Sequence, residues 1–116
     1  MRLSKRDEHL VRKMLDEITE IEIYTSDLDI VGFMNSKITQ RAVAMTMINI
    51  GELSKKLSEA ILETMKSVPW GKIRGFRNLV AHQYDDIVME EFWIIVKQDI
   101  PNLKDALIKQ QFDPMA

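Results

Sequence analysis

The chain has no cysteine among its 116 residues. That absence excludes a disulfide framework, a thiolate zinc site and a cysteine nucleophile. Histidine is nearly as scarce. His9 and His82 stand far apart in sequence, a poor basis for a transition-metal centre, which needs three or four converging ligands. A protein without metal or cofactor is expected. Long apolar runs are missing too: the longest, Phe92 to Val96, falls far short of the roughly 20 residues that span a bilayer. The charged start, Met1 to Glu8, has no apolar core behind it, so neither a secretory signal nor a membrane association is expected and the location read is cytoplasmic. Glycine and proline are few, four and three, which leaves long stretches free to follow a helical period.

The composition that remains is that of one globular domain covering residues 1–116. This length buries a sizeable core but has no room for a second one. With a net charge of −2, the chain is not a general coater of nucleic acid, which carries positive charge all over. The charge is unevenly spread. From Met65 to Tyr84 there are four basic residues (Lys66, Lys72, Arg74, Arg77) and no acid, so with +4 in this window the rest of the chain carries −6. A local cationic stretch in an acidic chain is the footprint of an anion site, most simply for a phosphate.

The periodicity predicts an all-α bundle of four or five helices. Ser4 and Asp7 resemble a capping box, followed by Leu10, Met14, Ile18 and Ile21 on one stripe through about Tyr24. Thr25 to Asn35 breaks the period and reads as a loop. A long second helix is expected from Ser36 to about Lys66. Within it Ala42 to Ile50 is charge-free and apolar all round, so it must be covered on more than one side, by the bundle or by a partner subunit. Pro69 or Trp70 opens a third helix that fades near His82. Asp85 or Asp86 caps a fourth bearing Ile87, Val88, Phe92, Ile95 and Val96. Pro101 interrupts it, and Leu103 to Gln110 is a last helix or a kinked extension.

The chemistry gathers in Arg77-Asn78-Leu79-Val80-Ala81-His82-Gln83-Tyr84. On a helix Asn78 and His82 share a face, and Arg77 and Tyr84 nearly do. An imidazole takes a proton from a ribose 2′-hydroxyl or returns one to a leaving 5′-oxygen. A guanidinium holds two non-bridging oxygens and offsets the charge that builds in the transition state. Asn78 orients His82 or the phosphate, and Lys72 and Arg74, just upstream, are candidate contacts to an RNA backbone. Glu52 has two readings: an ion pair with Lys56 four residues on, or a reach across the bundle to Arg77 or His82. Plainer readings stand beside the others. Arg77 pairs with Asp85, Asp86 or another acid; His82 is a helix C-cap; Tyr84 is a half-buried packing residue. Trp70, Trp93 and the eight methionines fill the core or a dimer interface.

The string resembles the Arg-Asn-x-x-x-His-x-Tyr signature of the HepT-like toxins in the HEPN superfamily. Ile50-Gly51-Glu52-Leu53-Ser54-Lys55 is similar to that family's Gly-Glu element in the long second helix. Val68-Pro69-Trp70-Gly71-Lys72-Ile73 resembles its lead-in to the motif helix, and Asp99-Ile100-Pro101-Asn102-Leu103 its closing segment. The resemblance implies a HEPN-like bundle that dimerises through the motif face. It also implies a metal-independent endoribonuclease toxin, with Arg77 and His82 catalytic and Asn78 the polar helper. The implied partner is an MntA-like minimal nucleotidyltransferase antitoxin that transfers AMP from ATP to Tyr84. Two alternatives remain at this point. One is a non-catalytic nucleotide- or substrate-binding subunit of a two-component nucleotidyltransferase; the other is a helical interaction protein whose polar cluster is structural.

Overall fold

Ser4 sets where the chain begins to coil. Its hydroxyl accepts the N–H of Asp7 at 3.0 Å and so satisfies one of the free donors of the first turn of α1, Lys5–Thr25. A computed structural model describes residues 3–112; Met1 and Met115, two of the eight methionines, lie outside that range. Leu10, Val11, Met14, Ile18 and Ile21 form the buried stripe of α1, as their spacing predicts. The Asp7 carboxylate does not turn back to Ser4 as a capping box would. Its two oxygens accept the backbone N–H of Ser58 at 3.1 Å and the Ser58 hydroxyl at 2.6 Å.

The segment read as a loop contains a short helix, α2, Ile30–Met34. The Asp29 carboxylate caps it by accepting the N–H of Gly32 at 2.8 Å, and five residues are too few to display a period. Phe33 anchors it, fully buried and edge-on to Phe92 with ring centroids 5.5 Å apart. Full burial of such a ring contributes roughly 1.5–3 kcal/mol. Phe76 lies 4.9 Å from Phe92, so the same aromatic cluster reaches the motif helix.

The long second helix ends earlier than expected. It is α3, Lys37–Lys56, capped by the Ser36 hydroxyl on the N–H of Thr39. The chain then breaks at Leu57 and Ser58 and restarts as α4, Glu59–Thr64. Ser58 causes the break. Its hydroxyl accepts the N–H of Ile61 at 3.3 Å, opening α4, while it donates to Asp7.

The motif helix, α5, runs Trp70–His82, within the bounds the sequence predicts. A 3-10 turn, Tyr84–Asp86, follows. Neither Asp85 nor Asp86 caps the next helix: α6, Met89–Ile94, starts after Val88 with no side-chain cap. The N–H groups of Asp86 and Ile87 are already spent on the carbonyls of Gln83 and Tyr84, which adds one tight turn before α6 begins.

Pro101 does not interrupt the last helix. A π-helical stretch, Ile95–Asp99, carries the chain from α6 into α7, Ile100–Phe112. Proline lacks an N–H, and its ring crowds the carbonyl four residues back; a widened turn just upstream relieves both problems. The result is a continuous extension of α6, not a separate helix.

The architecture is all-α, with no strand among the described residues. Helix α3 packs against α1 on one side and α5 on the other, and α7 returns to α1. Of the charge-free stretch, Val43, Ala44, Met47 and Ile50 are buried between these neighbours, whereas Met45 is 60% exposed. No helix of the described residues is long and apolar enough to cross a membrane.

Candidate active site

Helix α5 is held in place from both ends and along its length. At its start the Trp70 indole N–H donates to the carbonyl of Met65 at 3.2 Å. Ile73, Phe76 and Val80 face the core. At its end the N–H of Gln83 donates to Leu79, so His82 is the last residue of the helix.

The side chains it carries divide into two groups. Arg74 and Arg77 turn inward along α3: an Arg74 Nη2 hydrogen goes to the carbonyl of Ser54 at 3.2 Å, and Arg77 Nη2 lies 2.6 Å from Glu52 Oε1. That second contact is an ion pair whose angles do not make a directed hydrogen bond. Arg77 Nη1 donates to the Asn78 side-chain oxygen at 3.0 Å. Asn78 therefore serves Arg77 and not His82. Asn78 and His82 face outward, both exposed. His82 has no side-chain hydrogen bond or ion pair among the described residues.

The reach of Glu52 across the bundle is realised. The expected pair with Lys56 is not: on its own helix Glu52 meets Lys55 at 3.6 Å. The predicted cationic patch is also largely answered within the fold. Lys66 pairs with Glu63 at 3.0 Å and Lys72 with Asp99 at 2.8 Å. Of the two candidate RNA contacts, Lys72 keeps its side chain 55% exposed, while Arg74 is half-buried. Arg77, 19% exposed, finds its acid in α3 rather than in Asp85 or Asp86.

Tyr84 heads the 3-10 turn and packs partly against the core. Its hydroxyl is buried without a hydrogen-bond partner. The half-buried packing expected of this ring is found, but the partner expected for its hydroxyl is not, because the three-residue turn that tucks the ring inward brings no acceptor to it.

On an ideal helix, residues five apart sit about 140° around the axis and about 7.5 Å along it. Arg77 and His82 thus leave α5 in different directions, whereas Asn78 and His82 differ by only about 40°. A cleft of about 350 Å³ between α1 and α3 includes Glu52, Asn49 and Glu17 in its lining, but no α5 side chain reaches it. No cluster of three or more histidine, aspartate or glutamate side chains converges on a metal position among the described residues.

Residues 14–109 match the family model described as ribonuclease HepT-like. MJ1380 of Methanocaldococcus jannaschii, which carries a provisional RNase name, is 33% identical over 103 residues, covering 88% of this chain and 94% of that protein. A Thermococcus cleftensis protein named probable ribonuclease HepT is 31% identical over 99 residues, covering 82% of this chain and 90% of its own. A third relative, a M. jannaschii protein named as both a gamma-glutamylcyclotransferase and an RNase, is 33% identical over 96 residues that make up 43% of its length. No solved structure is similar enough to the chain to be matched with it. With a family model covering most of its length and relatives matched nearly end to end, the chain belongs to the ribonuclease HepT-like family.

Proposed function

We propose that the protein is a metal-independent endoribonuclease that acts as a homodimeric toxin and is silenced by adenylylation of Tyr84. The observation that carries the nuclease reading is the pairing of roles on α5. One guanidinium is fixed by Glu52 and Asn78, and one exposed imidazole ends the same helix. In this scheme an imidazole takes the proton of the ribose 2′-hydroxyl. The 2′-oxygen attacks phosphorus, and the P–O5′ bond breaks as the 5′-oxygen receives a proton. The products are a 2′,3′-cyclic phosphate and a free 5′-hydroxyl. Arg77 offsets the charge that gathers on the non-bridging oxygens.

The same helix supports a dimer. Because Arg77 and His82 point apart, two antiparallel copies of α5 facing one cleft combine the arginine of one chain with the histidine of the other. An apolar strip on α2 and α3 supports an interface: Val31 is 61%, Ile38 85% and Met45 60% exposed.

The partner in this reading is an MntA-like minimal nucleotidyltransferase. The Tyr84 phenolic oxygen attacks the α-phosphorus of ATP, pyrophosphate leaves, and the phenolic proton is lost. The adenylate adds anionic bulk beside His82, where the RNA phosphate has to sit.

A second reading, a nucleotide-binding subunit that cleaves nothing, draws on the neutralisation of Arg77 by Glu52. Co-expression with a minimal nucleotidyltransferase, followed by intact mass, fragment mapping and RNA cleavage assays, separates the two. Adenylate-sized increments on Tyr84, with cleavage only by the unmodified form, support the toxin. An unmodified protein that leaves RNA intact and binds ATP supports the subunit.

A further inference from the structure

We propose that Glu52 is the positioning residue of Arg77, and that Gly51 makes their meeting possible. The proposal deepens the ribonuclease reading and, for its kinetic test, rests on it.

Gly51 leaves open the space that the root of Arg77 fills. A Cβ added to Gly51 would stand 2.5 Å from both Cβ and Cγ of Arg77, and 3.6 Å from its Cδ. Cβ is fixed to the backbone, so at 2.5 Å it cannot swing clear without moving α5 itself. The stem of Arg77 therefore lies flat on the backbone of α3, and its guanidinium emerges at the next residue along, Glu52. The end of the side chain is then held at two points. Nη2 meets Glu52 at 2.6 Å, and Nη1 donates to Asn78 at 3.0 Å. Nε is buried without a partner. A guanidinium has five N–H donors; with Nε turned inward, the uncommitted Nη hydrogens are the ones left for an anion.

Stability alone is a poor reason for this pair. Glu52 keeps 43% of its side chain in solvent, and an ion pair with a partly exposed partner adds little to stability. What the pair does supply is direction. A four-bond side chain is tied at its root by Gly51 and at its tip by Glu52, with little freedom between. Glu52 touches no substrate in this scheme; it acts through Arg77. Losing the carboxylate frees the guanidinium to move, and a displacement of about 1 Å costs about a hundredfold in rate.

The test compares cleavage of a defined RNA by the full-length wild type, Glu52→Gln, Arg77→Ala and the double variant. Thermal unfolding of each is followed alongside. Glu52→Gln is expected to lower kcat about a hundredfold with KM little changed. The double variant is then no slower than Arg77→Ala alone, because the carboxylate acts only through the arginine. A Glu52→Gln rate equal to or above wild type overturns the proposal, as do losses that simply multiply in the double variant. A wild type that cleaves no RNA sinks the nuclease reading but leaves positioning testable by arginine-selective NMR. In that case hindered, separate Arg77 Nη signals that merge in Glu52→Gln support positioning, and signals unchanged by the substitution overturn it.

Discussion

Asp7 and Ser58 are joined across 51 positions of sequence by two hydrogen bonds, from the serine N–H and from its hydroxyl, to the two oxygens of one carboxylate. The contact fixes the break between α3 and α4 to the first turn of α1. It explains why an apolar period that reads as one helix to Lys66 is two in the structure. A buried carboxylate offering two acceptors at a serine makes a restart there more favourable than continued coiling.

Replacing Asp7 by alanine removes both acceptors. Hydrogen bonds to a charged group are worth about 1.5–3 kcal/mol each, but Ser58 is exposed and water partly replaces them, so the expected loss is about 2–3 kcal/mol in all. Asp7→Asn keeps an acceptor for the N–H and a donor for the hydroxyl oxygen, and should retain most of the stability. Denaturant unfolding of the two variants at one protein concentration checks this. Equal losses for alanine and asparagine would show that the contact does not hold the break.

Gly51 gives a sharper case, because the neighbour it spares is a stem and not a flexible tip. Gly51→Ala is expected to destabilise by about 1–3 kcal/mol through overpacking. Arg77→Ala should not rescue it, since the Cβ of residue 77 remains 2.5 Å from the new methyl. Thermal unfolding of both single variants and the double decides. Full rescue would place the clash on Cγ alone and loosen the argument for a flat stem.

What the sequence made legible follows from the physics each element obeys. The stripe from Leu10 to Ile21 and the span from Trp70 to His82 obey a 3.6-residue period over three turns or more, so their helices were foreseeable. The helix α2, the break at Ser58 and the 3-10 turn at Tyr84 depend on single capping or tertiary contacts, which leave no period to read. At the site, the motif named Arg77, Asn78 and His82, and Glu52 was seen as a possible neighbour. That Glu52 chooses Arg77 over Lys56, and that the Tyr84 hydroxyl is left without a partner, are not written in the sequence, because both depend on which face of α5 and of its following turn meets the core.

Tyr84 carries a buried hydroxyl with no partner, and an unsatisfied buried polar group costs about 1–3 kcal/mol. Tyr84→Phe removes the group and keeps the ring. It should leave stability unchanged or raise it by up to about 1 kcal/mol, a few degrees in Tm for a domain of this size. The same variant should take no adenylate. If Tyr84 is the adenylylated residue, its hydroxyl has to come out before it can attack ATP, so substitutions that loosen the turn should speed modification. Ile87→Ala, whose N–H bonds back to Tyr84 and whose side chain is 9% exposed, is the variant to time by intact mass. A slower or unchanged rate would mean that opening the turn does not limit the reaction.

The interface has its own signature. Ile38→Glu and Met45→Glu place charge on side chains 85% and 60% exposed, so the fold of one chain should tolerate them within about 0.5 kcal/mol. A dimer that covers this strip should not tolerate a buried, unpaired charge and should dissociate. Light scattering at micromolar concentration distinguishes the cases: a wild-type monomer rejects the dimer, and variants that stay dimeric move the interface elsewhere.

The divergence of Arg77 and His82 around α5 leads to the most discriminating experiment. Each alanine substitution alone should cost about 10²–10³ in cleavage rate. His82→Ala should barely affect stability, because the imidazole is exposed and makes no protein contact among the described residues. If one cleft draws its arginine from one chain and its histidine from the other, two inactive proteins restore each other when mixed. Half of randomly exchanged dimers are then mixed, each with one intact arginine–histidine pair of the two that share the cleft, so about a quarter of wild-type activity should return. A site complete within one chain returns none, since every chain in the mixture lacks one of the two groups. Recovery near a quarter places the chemistry between copies of α5. No recovery, with subunit exchange verified by mass, rejects a site that takes its arginine from one chain and its histidine from the other.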